Sequence, residues 1–411
     1  MLPSERNKEF RDFLIKMSRF HGSHSVDKSQ VTPRIMIMIF LSSICVVMQL
    51  NGLYHIWPDF MRICHSMMLE PIELQLLTRI AVRFLNNDEE LVAKIHDTID
   101  KFYKNEERNQ EYLKILTSRV KLIEFLSKLY MLLNFICFMI PPISALIISW
   151  ISSEYIMLVP FWLPFTDPTE TFGFVLNSTL MMFYTIMFYE ILISQDLFII
   201  HYTIQVIPMG DIYIEKLKKL GEKLTKCRKN QKILINSKHE SFNEFKLICQ
   251  SLSIHKNFIK QIEIEINDLI KSFNNYNNFI ALIFPYMHYT TFIEISTNSI
   301  GIGLAIIVAT FISAPIGISI ILIFSIQVLM SCIQGTIISH QNQKILDEVW
   351  NFPWYKMSVS MQKVWLQFMH QCQNSNELEI IIIGVLNMEW FTNVMNGAYS
   401  YFMYTLNFVK Q

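Results

Sequence analysis

Residues 128–216 read KLYMLLNFICFMIPPISALIISWISSEYIMLVPFWLPFTDPTETFGFVLNSTLMMFYTIMFYEILISQDLFIIHYTIQVIPMGDIYIEK, with no Lys or Arg between the two terminal lysines. The same holds between Lys271 and Lys344, and between Lys363 and Lys410. A surface in water needs scattered charge for solubility. A bilayer excludes it, because a basic side chain at the membrane centre costs about 2.5–3.5 kcal/mol on insertion scales. One span takes about 20 apolar residues. The first two windows therefore each hold two spans and a loop, and the third holds one.

Composition agrees: of 411 residues 52% are hydrophobic and 17% charged, and mean hydropathy is +0.30. A net charge of +0 gives no attraction for nucleic acid. Glycine is scarce (11) while Phe (31) and Met (23) are abundant, which favours packed helices filled by large, deformable side chains. The cysteines Cys45, Cys64, Cys137, Cys227, Cys249, Cys332 and Cys372 form no CxxC pair, so neither a metal site nor a disulfide framework is expected. GxSxG, HExxH, P-loop and GxGxxG patterns are absent, so the chain is not read as an enzyme and no cofactor is implied. Gly301-Ile302-Gly303 lies in an apolar stretch and reads as packing.

The hydropathy pattern predicts an all-α membrane protein with seven transmembrane helices. They fall near Arg34–Tyr54, Asp59–Phe84 with a kink at Glu70-Pro71, Leu126–Ile151 with a second kink at Pro141-Pro142, Phe172–Val206, Tyr276–Ile295, Ile300–Ile333 and Leu378–Val409. Basic residues cluster in three polar stretches: before the first span, from Arg83 to Lys128, and from Lys216 to Lys271. The loops near 53–59, 152–171 and 296–299 have none. The asymmetry predicts a cytoplasmic N-terminus and an extracellular C-terminus. The chain then divides into a cytoplasmic N-terminus (1–33), spans one to four (34–206), a cytoplasmic helical segment (207–275), spans five and six (276–333), a cytoplasmic anchor segment (334–377) and the last span with a short outer tail (378–411). The sequon Asn177-Ser178-Thr179 falls on the outer side, close to a span.

Two features bear on chemistry. Glu190 and Asp196 are acids in the fourth span; that helix exceeds a bilayer's thickness, so its inner part is expected to leave the membrane with the acids solvated or paired. In the last span, at 100° per residue, Glu389, Asn393, Asn396, Ser400, Tyr404 and Asn407 share one narrow arc on a helix otherwise built from apolar residues. Lipid would penalise that face. It serves either interhelical hydrogen bonds or a pore lining, and the second reading needs an oligomer, because one helix encloses nothing.

Four stretches carry a resemblance. CQSLSIHKNF (249–258), QGTIISHQNQKILDEVWNFPWY (334–355) with Trp350, Trp354 and Tyr355, AYSYFMYTLNFV (398–409) with Ser400, and VPFWLPF (159–165) resemble, in this order, segments of the insect odorant receptor family. The stretch between spans four and five is too short for that family's shared co-receptor, so the chain resembles an odorant-tuned subunit. Ser400-Tyr401-x5-Asn407-Phe408 is also similar to the Thr-Tyr-x5-Gln-Phe signature of gustatory receptors, which stands as the alternative. A G-protein-coupled chemoreceptor is the more remote one, since it would reverse the topology.

The resemblance implies a heterotetrameric, ligand-gated, non-selective cation channel in the plasma membrane of olfactory sensory neuron dendrites, formed with the co-receptor subunit. It implies a small volatile apolar ligand, bound in the outer half between the second, third, fourth and sixth helices. Candidate contacts are Ser144, Ile147 and Trp150 on the third helix, Met181 and Tyr184 on the fourth, and Phe311, placed on the sixth. The last helix would line the pore through Glu389, Asn393, Asn396 and Ser400, with Tyr404, Asn407 and Phe408 at the gate; Tyr404 stands where the family carries a smaller aliphatic residue.

Overall fold

The computed structural model describes residues 1–20, 32–85, 88–152, 157–158, 162–163, 166–167, 169–236, 242–374, 377–380 and 384–409. Lipid offers no partner to a backbone N–H or C=O, so the apolar stretches close their hydrogen bonds internally as helices. After α1 (Pro3–Phe20), α2 (Thr32–Ile56) gives the first crossing segment. Asp59 caps α3 (Phe60–Ser66), accepting the N–H groups of Met61 and Arg62 at 3.1 and 3.3 Å. A 3-10 turn, Met67–Leu69, leads to α4 (Glu70–Leu85). Pro71 is thus at the start of a new helix, where its missing N–H is not needed. The expected kink is a restart.

α5 (Asp88–Glu106) precedes α6 (Gln110–Ser152), which runs through Pro141-Pro142. α7 (Thr171–Ile204) passes into α8 (Val206–Asn236). α9 (Phe242–Phe311) and α10 (Ala314–Asn351) form the longest hairpin. Its turn is at 312–313, where the N–H groups of Ile312 and Ser313 both reach the Val308 carbonyl, at 3.0 and 2.9 Å.

The loop expected at 296–299 is therefore inside a helix. Thr297 and Asn298 are polar but buried, and they accept the Gln75 side-chain amide at 2.8 and 2.6 Å. Their polarity serves interhelical bonding, not solvent. Phe311 accordingly ends the fifth span instead of lying on the sixth. Gly301 lets the Phe324 ring of α10 approach to where a Cβ would lie 2.4 Å away.

Among the described residues, four helical runs are long and apolar enough to cross a membrane: Gln110–Ser152, Thr171–Lys226, Met287–Phe311 and Ala314–Lys356. α2, the α3–α4 pair and the last helix are the remaining segments that the sequence reads as spans. That last helix, α12 (Met388–Val409), starts later than the expected Leu378. Before it lies a short antiparallel pair, β1 (Glu379–Ile380) and β2 (Gly384–Val385), with Gly384 at φ +81°.

Beyond one end of the bundle, α1, α5, α8, α11 (Val359–Gln373) and the extensions of α6, α9 and α10 form a second packed region. Trp365 is fully buried there, stacked on Phe352 at 4.4 Å, and Phe368 meets Phe273 edge-on at 5.1 Å. Ion pairs bridge helices at this end, including Arg6–Glu124 (2.6 Å), Arg11–Asp100 (2.8 Å) and Arg119–Asp211 (2.8 Å). Burial pushes the Tyr103 phenol well above its ordinary range, so it remains a donor, bonding Gln205 at 2.8 Å.

Candidate ligand cavity and exposed helix face

A cavity of about 30 Å³ lies at the other end of the bundle. Its walls are Ile72 and Glu73 of α4, Phe138, Pro141 and Pro142 of α6, Tyr184 and Thr185 of α7, and Ile320 and Ile323 of α10. Leu158, from the α6–α7 connection, completes the lining. The prolines shape this wall: each lacks the N–H that would bond the carbonyl four residues earlier, and α6 presents their rings in place of a continuous backbone ladder.

The polar groups are few. The Tyr184 hydroxyl donates to Glu73 Oε1 at 2.7 Å, and both residues are buried. Thr185 returns its hydroxyl to the Met181 carbonyl at 2.9 Å. The connection above is tied down by three helices. His65 Nε2 bonds the Leu158 carbonyl at 2.7 Å, Asn51 donates to the Trp162 carbonyl at 3.1 Å, and Asn177 bonds residues 163 and 166. The His55 ring rests on Trp162 at 4.3 Å.

Of the ligand contacts expected from sequence, the structure brings Tyr184 to this cavity. Met181 is buried one helical turn away. Ile147 and Trp150 are 51% and 84% exposed, on the opposite side of α6 from Phe138, Pro141 and Ala145. Ser144 is half-buried, its hydroxyl turned back to the Pro141 carbonyl at 2.8 Å. Phe311 is half-buried at the α9–α10 turn. The i, i+3 spacing on α6 set a face without fixing which way it points. Glu73 was missed: Glu70-Pro71 reads as a backbone interruption, although an acid two residues further into an apolar span is itself a signal.

The polar arc of α12 lies on one surface. Glu389, Asn393, Asn396, Ser400, Tyr404 and Asn407 are all exposed, Tyr404 at 69%. The opposite face, through Trp390, Phe391, Ala398 and Phe402, packs against the core, where α12 meets α9 and α10. The Phe408 side chain lies outside the described residues. Asp196 is buried and accepts the Tyr130 hydroxyl at 3.0 Å, so it is paired and not solvated.

The sequon residue Asn177 is fully buried. Its Oδ1 accepts the Leu163 N–H at 3.0 Å, while Nδ2 donates to Thr166 Oγ1 at 3.2 Å and the Gly173 carbonyl at 2.7 Å. Both amide protons are engaged, and a glycan has no route to the nitrogen. Asn177 holds the loop instead.

Membrane-crossing helices, a mostly apolar cavity among them and a polar helix face turned outward define a multi-pass membrane protein. The 7tm Odorant receptor family model matches residues 76–399. The olfactory receptor OR5 of Machilis hrabei has the same fold, with a TM-score of 0.63 at 11% identity over 97% of this chain and 98% of that one. The structure of OR5 in complex with eugenol gives 0.60 at 12% identity, covering 98% and 99%. No curated protein sequence matched. The chain belongs to the odorant receptor family: it is an odorant-sensing, all-α membrane receptor of seven transmembrane helices.

Proposed function

We propose that this chain is the odorant-binding subunit of a heteromeric, ligand-gated, non-selective cation channel, formed with the co-receptor in the dendritic plasma membrane of olfactory neurons. The observation that carries the reading is the split surface of α12. One face is packed and apolar; the other is polar and exposed along its whole length. Hydrocarbon is a poor solvent for Asn, Ser and Glu, so that face requires neighbouring subunits or water. Around an axis it lines a pore, with Tyr404, Asn407 and Phe408 at the constriction. Bulky rings close such a pore by dewetting, and an amide partly solvates a passing cation.

The ligand site in this reading is the cavity between α4, α6, α7 and α10, with Tyr184 and Glu73 as its polar groups and a small volatile molecule as occupant. At about 30 Å³ the space holds roughly one water molecule. An odorant must therefore displace side chains on entry, which gives it different affinities for the closed and open arrangements.

The test is co-expression with the co-receptor, an odorant panel and whole-cell recording with ion substitution. Odorant-evoked current reversing near zero in mixed monovalent cations is expected; no current at any odorant, with the subunit at the surface, refutes the reading. An N-terminal tag is expected to stain only permeabilised cells, in keeping with a cytoplasmic N-terminus.

A further inference from the structure

We infer that the cavity selects ligands bearing an ammonium head group on a small apolar skeleton; this rests on the cavity being the ligand site. Glu73 is 2% exposed and lines the cavity. Its Oε1 accepts the Tyr184 hydroxyl, the Gln49 side chain hydrogen-bonds the same carboxyl, and among the described residues no cationic side chain is paired with it. Neutral donors only partly offset the cost of burying a carboxylate without a counter-charge. The other side chains around it, Gln49, Cys45 and Tyr184, are neutral, and Glu70 adds negative charge. Among the described residues the cavity lining contains no Lys, Arg or His.

Two further facts set the sign of what is missing. Glu73 sits in the first turn of α4, where the positive end of the helix dipole favours an anion. The remaining walls, Ile72, Phe138, Ile320 and Ile323, offer only hydrocarbon. An ammonium supplies the counter-charge that the carboxyl lacks together with a further donor, and its alkyl or aryl part fills the apolar end. An alcohol supplies the donor alone. An aldehyde or ester supplies neither.

The test compares hexylamine, hexanol and hexanal on cells expressing the chain with the co-receptor. Hexylamine is expected to have the lowest half-maximal concentration. Glu73→Gln keeps the shape and removes the charge; it is expected to raise the hexylamine value about tenfold or more, and the hexanol value less than about threefold. Should Glu73→Gln fail to reach the surface, Glu73→Asp, which retracts the carboxylate by one methylene, is expected to show the same split. Equal potency of amine and alcohol on the wild type, equal loss of both in the variant, or silence to all three while other odorants work, overturns the inference. Ile323→Trp separates this from failure of the site itself. If that filled cavity leaves every odorant response unchanged, ligands bind elsewhere and the underlying reading falls with it.

Discussion

Asn177→Ala should destabilise the receptor although the residue belongs to a glycosylation sequon and touches no pore or ligand. Three bonds are removed, but they do not count equally. The Gly173 carbonyl is four residues before Asn177 and keeps its helical partner. The Thr166 hydroxyl retains the Leu163 carbonyl at 3.0 Å. The Leu163 N–H, however, loses its acceptor at 3.0 Å in a part-buried position. Stranding one such donor costs about 1–3 kcal/mol. The effect reaches further because the loop passes tightly over α7: a Cβ on Gly173 would lie 1.9 Å from the Asp167 carbonyl oxygen.

The assay is thermal inactivation of detergent-solubilised, fluorescently tagged receptor, followed by size exclusion, alongside endoglycosidase treatment. Asn177→Ala is expected to lower the midpoint, and Asn177→Asp, which sets an acceptor against the Gly173 carbonyl at a buried position, to lower it at least as much. Thr179→Ala destroys the sequon while leaving these bonds intact, because the exposed Thr179 hydroxyl only returns to the Val175 carbonyl at 2.7 Å. It should fall within about 0.5 kcal/mol of wild type. An endoglycosidase mobility shift abolished by Thr179→Ala, with equal destabilisation by both alanine variants, would refute the reasoning and put a glycan at Asn177.

Trp365→Ala removes a fully buried ring stacked on Phe352, and at about 3–5 kcal/mol should abolish surface expression, read by surface biotinylation. Cysteines at Asn393, Asn396, Ser400 and Asn407 should react with a water-soluble thiol reagent during odorant stimulation, while Thr405→Cys should not, since Thr405 is half-buried and bonds the Tyr401 and Phe402 carbonyls. Tyr404→Ala should raise resting current; unchanged leak and permeability would remove it from the gate. Trp150→Ala should leave dose–response curves within about twofold, whereas Tyr184→Phe, which strands Glu73 Oε1, should shift them more.

The crossing helices were legible in the sequence because the bilayer imposes one rule on every residue of a span, and a basic-free run records that rule without knowledge of neighbours. The arc on α12 was legible for the same reason: a helical period fixes relative angle, and a polar arc in lipid has to face something else. Partners are another matter. Ser296-Thr297-Asn298-Ser299 looked like a turn because the polar groups that satisfy it come from Gln75, 222 residues away from Thr297. Ser144, Ile147 and Trp150 share a face, but periodicity contains no phase, and Phe138, Pro141 and Ala145 face inward instead.

Glu73 shows where the two kinds of information meet. Its presence in an apolar span is a local fact that composition could have flagged. Its meaning depends on what it meets, and that includes Tyr184, 111 residues later. Asp196 makes the contrast. It is equally conspicuous in sequence, yet it is held by Tyr130 and borders no described cavity wall. What sets Glu73 apart from Asp196 is its place on a cavity wall that is otherwise almost wholly apolar, and only the packed bundle reveals it.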